Sequence, residues 1–424
     1  MSVGEGLASD IDRIRNFAVP AAGVGLGLSA LLAYLTPGAM LPAYLTAFLF
    51  WFGLSMGCLA LTVLHHLVGG NWGQPVRRLL ETGAVVILPM VILFIPIMIG
   101  RRYLYPWADE RIAAGNELIL YKRDVLGFLG AAKFAFRAAL GFGFWVIVAL
   151  WCYFNSLKCD QPDEDSPASP RPIERISGLL MAGVFFTGTF AAIDWNMTRE
   201  PEWVSSIYGA MVLLGWGLEA FAFTIILSTW LTSRSPDMRT VATTSRMHDL
   251  GNLMLAFTLL WAYTSFSQLL IIWMANMKEE APWYVRRSHG GWEYVATALV
   301  ILHFAVPFLC LLFRNVKRTP RYLVRVAILL LAMHLLDLTW LTIPANAQWN
   351  GVGVAHAAEG HVEKASTLIY AFSPIDLALV LLAFVGIGGF WVFSYMWLLR
   401  DKPVVVRSAL THPPGRDYLP TGGL

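Results

Sequence analysis

Several ionisable side chains sit where the chain is otherwise too apolar to hold them. Glu219 lies at the centre of LGWGLEAFAFTIIL with no cation nearby in sequence, and His334 and Asp337 stand three residues apart in LLAMHLLDLTW. His303 occupies a third such stretch, His65, His66, Glu81, His248 and Asp249 lie near one end of theirs, and Asp194 and Asp376 near the other. An ionised group in the middle of a bilayer costs about 2.5–3.5 kcal/mol or more, so each is a functional candidate. Together they make a ladder of carboxylates and imidazoles. Burial moves the pKa values of these two groups toward each other, so a proton can pass between them without a large energy step. That is the chemistry of a proton path.

Each rung also has a structural reading. Glu81 follows Arg77 by four residues, the spacing of a helical ion pair. His65 and His66 close a helix, where cations are favoured. Asp194 and Asp376 suit helix ends, Asp376 following Ser373 and Pro374. His303 and His334, on adjacent helices, could instead clamp a haem.

The elements that must position these groups are membrane helices. Hydrophobic residues make up 57% of the chain and charged ones 14%, where soluble domains average about 25% charged. The fold class expected is all-α integral membrane. Ten runs are long enough to span the hydrocarbon core: 17–35, 43–67, 79–100, 133–155, 176–197, 204–231, 247–274, 292–313, 322–343 and 374–399. In the run 247–274, Thr258, Trp261, Ser265 and Gln268 share one helical face. Lipid cannot satisfy their hydrogen bonds, so this face looks into a bundle, with His248 and Asp249 at its mouth. Helix-to-helix hydrogen bonding is the alternative use of Thr258 and Ser265.

Lys and Arg are more numerous in the two terminal segments and even-numbered loops than in the odd-numbered ones, which puts both termini on the cytoplasmic side. The net charge of +3 gives no sign of nucleic-acid binding. Cys58, Cys152, Cys159 and Cys310 lack metal- or haem-attachment spacing, and no removable signal is read at the N-terminus. Three connections are long. Residues 101–132 mix aromatics with charges and predict a short surface helix; 159–173 read as a solvated Pro- and acid-rich linker. The loop 344–373 holds His356, Glu359 and His361, either a metal site or an ordinary polar loop. The domains expected are an N-terminal segment 1–16, a membrane domain 17–400 and an extended tail 401–424, loose or laid against a partner.

Three stretches carry a resemblance: GLSMGCLALTVLHHLVGGNWGQPVRRLLE (53–81), AAIDWNMTREPEWVSSIYG (191–209) and HDLGNLMLAFTLLWAYTSFSQLLIIWMANMKEEAPWYVRR (248–287). They resemble one of the two paralogous integral-membrane subunits of bacterial alternative complex III, in the NrfD and polysulfide-reductase membrane-protein superfamily, over residues 17–400. The resemblance implies two four-helix bundles, at about 43–197 and 204–343, flanked by the first and last helices. It implies a bacterial inner-membrane quinol:electron acceptor oxidoreductase in which this chain binds no cofactor. Its partners would be the other, paralogous membrane subunit, multihaem cytochromes and an iron–sulfur protein, carrying haem c and iron–sulfur clusters, together with lipids. In the paralogue a GIxHAGT-like start to the second span supplies a quinol-site His; here Met56 stands in its place and cannot take a proton. The family's proton-conducting carboxylates match Glu81, Asp194, Asp249 and Asp337. The function expected is an anchoring, proton-conducting subunit using Glu81, Asp194, Glu219, His248, Asp249, His303, His334 and Asp337. Alternatives are a quinone-binding electron-transfer subunit, with His65 or Glu81 near the quinone, and a stand-alone transporter.

Overall fold

Inside lipid a backbone must satisfy its own hydrogen bonds, so apolar stretches of spanning length become helices. The computed structural model describes residues 5–158, 171–278, 280–348, 369–400, 402–406 and 409–410. Among these there is no strand, and ten helices are long and apolar enough to cross a membrane. They are α1 (Glu5–Leu35), α2 (Pro37–Val68), α3 (Arg77–Ile99), α4 (Ala131–Lys158) and α5 (Arg171–Trp195). The remaining five are α6 (Tyr208–Thr232), α7 (Thr244–Ala275), α8 (Trp292–Leu312), α9 (Pro320–Thr342) and α10 (Pro374–Leu399).

Helix ends differ from the sequence expectation for local reasons. From Glu5 onward, the N-terminal segment continues α1 as helix, burying Leu7 and Ile11 one turn apart. Pro37 opens α2 and Pro374 opens α10, where the missing N–H costs nothing. Helix α3 breaks at Val86 between Arg77–Val85 and Ile87–Ile99. Pro89 removes a donor and its ring crowds the carbonyl four residues back, at Val85. In α8 the turns widen to a π-helix over Leu299–Ala305, just ahead of Pro307; the carbonyl four residues before that proline belongs to His303. The connection 101–132 holds two one-turn helices, capped by Asp109 and Asn116. In the tail, Val404, Val405 and Val406 are buried against the helices. Most of the linker 159–173, and His356, Glu359 and His361, lie outside the described residues.

The start of α1 meets the ends of two other helices: Arg234 donates to Asp10 at 2.8 Å and Arg400 to Asp12 at 2.9 Å. This is the N-terminal face. Helix α2 packs against α3, α5, α6, α9 and α10, and α6 against α2, α5, α7 and α9. These two are therefore enclosed, although their sequences are as apolar as those facing outward. Small residues allow it. A Cβ on Gly57 would stand 2.0 Å from the carbonyl oxygen of Trp216, and one on Gly53 would enter the Trp216 ring. Helices α1 and α10 touch the same way at Gly25 and Gly386. Without a hydrophobic drive between helices in lipid, such close backbone approach supplies the attraction.

Leucine at Gly57 should force α2 off α6. An overpacked core loses about 1–3 kcal/mol, so Gly57→Leu should lower the melting temperature of the detergent-solubilised protein. Leucine at Gly27, which has open space around it, should leave that temperature unchanged.

Candidate functional site

Three helices bring their ionisable groups to one place in the interior. On α6, Gly215 and Glu219 lie four residues apart and share a face. Having no side chain, Gly215 lets the His334 ring of α9 settle over it; a Cβ there would be 2.7 Å from the ring. His334 then stands with Nε2 3.5 Å from the Glu219 carboxylate and Nδ1 3.9 Å from that of Asp337. One imidazole thus lies between two carboxyl groups, a different nitrogen toward each. Trp261 on α7 donates its indole N–H to Asp337 at 3.2 Å. The same indole stacks at 4.1 Å on His303 of α8, whose ring centre is 6.2 Å from that of His334. Phe50 of α2 covers the other side of His334 at 5.9 Å.

Glu219 and His303 are essentially inaccessible and His334 and Asp337 nearly so. Among the described residues, both oxygens of Glu219 and both ring nitrogens of His303 and of His334 are buried without a hydrogen-bond partner. Buried polar atoms are normally paired, since leaving one unpaired costs about 1–3 kcal/mol. This cluster carries six such atoms. The separations of 3.5 and 3.9 Å suit transfer after a small approach or through one water.

The remaining sequence candidates are engaged elsewhere. Glu81 is fully buried and accepts from Arg77 at 2.9 Å and Arg78 at 3.2 Å, which is the ion-pair arrangement its spacing allowed. Asp194 is gripped by both ends of the Arg137 guanidinium, at 2.5 and 2.9 Å. Arg137 lies inside the fourth span and was not among the sequence candidates. His248 and Asp249 are 3.8 Å apart and partly exposed in the first turns of α7, with Asn252 linking His248 to Lys317. Thirteen residues separate His248 from Trp261, about 20 Å along a helix. The inward positions between them are Leu250, Gly251, Met254 and Thr258, the last of which turns its hydroxyl to its own helix. Trp261 and Gln268 face inward as their spacing predicts, and Ser205 donates to Gln268. Asp376 sits in the first turn of α10 and accepts from Tyr370 at 3.1 Å. Among the described residues no three His, Cys, Asp or Glu groups converge as a metal site requires.

A second buried cluster, on the face away from the N-terminus, was absent from the sequence reading. Glu200 binds Arg286 and Arg287, each at 2.6 Å, all three buried. Arg287 stacks at 3.8 Å on Trp283 and donates to the carbonyls of Trp340 and Leu341. Arg199 reaches the carbonyl of Thr342 and the amide of Asn346. These contacts pin the connection after α5 and the short helix Ala281–Arg287 to the end of α9. Burial raises the Glu200 carboxyl, but the charges of Arg287 and Arg286 outweigh it and hold the group below its ordinary value. The signal in the sequence was the adjacent pair Arg286–Arg287 after Trp283; its acidic partner, 86 residues earlier, carries no marker.

No protein-family model matches the chain and no curated protein matches it.

Glu200→Gln should strip two buried guanidiniums of their counter-charge, a loss of about 3–5 kcal/mol. Because the folded pKa is depressed, the stabilisation is complete above the ordinary carboxylate value and is lost as pH falls through the folded one. The melting-temperature gap between wild type and Glu200→Gln should therefore be widest near neutrality and close below about pH 4.

Proposed function

We propose that this chain is the proton-conducting membrane subunit of a quinol:electron acceptor oxidoreductase of the alternative complex III type. In this reading it anchors the assembly and moves protons while partner proteins, carrying haem c and iron–sulfur clusters, move electrons. The observation that carries the proposal is the group Glu219, His334 and Asp337, with His303 beside it, enclosed by α2, α6, α7, α8 and α9 with most of its polar atoms uncommitted.

The relay follows from the imidazole between two acids. A proton arriving at Glu219 passes to Nε2 of His334, and the proton on Nδ1 leaves toward Asp337. Ring nitrogens that face different partners let one histidine accept and release without turning over. Trp261 holds Asp337 in place by its N–H, and its stacking on His303 fixes the next imidazole. In this reading His248 and Asp249 serve one mouth and Asp194 the other. Glu81, tied to Arg77 and Arg78, borders the route as an ion pair.

The quinone-binding alternative has one observation in its favour. Buried nitrogens of His65, His66 and Arg77 near the N-terminal face have no hydrogen-bond partner among the described residues, and Arg77 lies within electrostatic range of both rings. Such donors suit a quinone carbonyl.

Glu219→Gln and Asp337→Asn, each introduced into the assembled complex in vesicles, should lower the protons moved per electron transferred while polypeptide and haem content stay unchanged. An unchanged ratio in both would leave an anchor. A fall in quinol turnover on His66→Ala, with the ratio preserved, would favour the quinone reading.

A further inference from the structure

The inward stripes of α7 and α9 change character at the same depth. On α7, Leu250, Met254 and Thr258 have no accessible surface, whereas Trp261 and Thr264 keep 6% and Gln268 4%. On α9, Leu323, Ala327 and Leu330 are sealed, and accessibility then rises to 3% at His334 and 6% at Asp337. Both helices start at the N-terminal face, so the open half is the one beyond the Trp261–Asp337 bond. Helices α7 and α9 each pack closely on α6 but not on each other. The indole of Trp261 spans the interval between them. Beyond it α7 presents the short Thr264, where nearer the N-terminal face it presents Leu250 and Met254.

The walls of this space are polar. Gln268, about 10 Å along α7 from Trp261, accepts from Ser205, which belongs to the connection ahead of α6 and marks the surface end. Tyr208 lies seven residues before Gly215, on the same face of α6. Its hydroxyl accepts from Asn196 at 2.6 Å and keeps its own proton to give, within electrostatic range of Asp337. An apolar occupant would leave such groups unpaired at about 1–3 kcal/mol each, whereas water finds several partners among them. We propose that the space between α6, α7 and α9 outward of Trp261 is a water-filled vestibule, open on the face away from the N-terminus and closed at Asp337. In the proton-path reading, on which its use rests, the vestibule lets Asp337 exchange protons with that side alone.

Single cysteines along α7 test this in sealed membrane vesicles of both orientations. The vesicles are treated with a small membrane-impermeant thiosulfonate, and the modified positions are read by peptide mass spectrometry. Thr264→Cys and Gln268→Cys should react from the side away from the N-terminus about tenfold faster than Thr258→Cys on the same stripe, because thiolate forms only where water reaches. Leu260→Cys, on the outward face of α7, should be as slow as Thr258→Cys, which separates contact with water from contact with lipid. Gln268→Cys removes the acceptor of Ser205, but Thr264→Cys removes only bonds of a side chain to its own helix, so a folded variant remains to be read. Gln268→Phe should slow the labelling of Thr264→Cys by filling the passage. Thr264→Cys and Gln268→Cys reacting no faster than Thr258→Cys, or equally from both sides, would overturn the proposal. Fast one-sided labelling with an unchanged proton-to-electron ratio in Gln268→Phe upholds the vestibule and counts against the proton path; unreactive cysteines with a lowered ratio do the reverse.

Discussion

The bilayer offers no partner to a charge. Every ionised or strongly polar side chain carried on a spanning helix must turn away from lipid and find its compensation inside the protein, at a cost of several kcal/mol if it does not. The arrangement of this molecule follows from that requirement. Helices α2 and α6 are enclosed because their glycines let neighbouring backbones close around them, and the inward face of α6 carries Glu219.

Two solutions to the same requirement stand side by side. At Glu81, Asp194 and Glu200 the carboxylate is matched by one or two guanidiniums at 2.5–3.2 Å. Arginine is permanently charged and its planar fork matches a carboxylate, so these pairs serve geometry. At Glu219, His334 and Asp337 the partner is an imidazole, and the separations are longer. One ring nitrogen faces each carboxyl group, and both nitrogens are without a hydrogen-bond partner among the described residues. The first kind of pair ties the frame together; the second is the group on which the proposed proton relay rests.

The frame and the cluster meet through aromatic side chains. The Trp216 ring fills the space left by Gly53, and Phe50 of α2 closes over His334. On the far face, Trp203 and Trp283 stack at 4.4 Å beneath the Glu200 cluster. Wide, stiff rings fix distances between helices with few rotatable bonds, and an interior imidazole needs that if its two nitrogens are to keep separate neighbours.

Much of this was legible in the chain. Hydropathy determined ten helices, because only a helix satisfies its own backbone in lipid, and the inward setting of Trp261 and Gln268 followed from their spacing. The i, i+3 interval placed His334 near Asp337, and proline positions marked where α3 and α8 depart from regular turns. Pairing across helices was decided only by tertiary structure. Nothing local in Glu219, Asp194 or Glu200 says which of them meets an imidazole and which meets an arginine 57 or 86 residues away in the chain. Sequence reports a helix's period and its polar face. Which foreign side chain that face meets depends on how the helices cross, and glycine contacts such as Gly57 against Trp216 set that crossing only once the whole bundle is assembled.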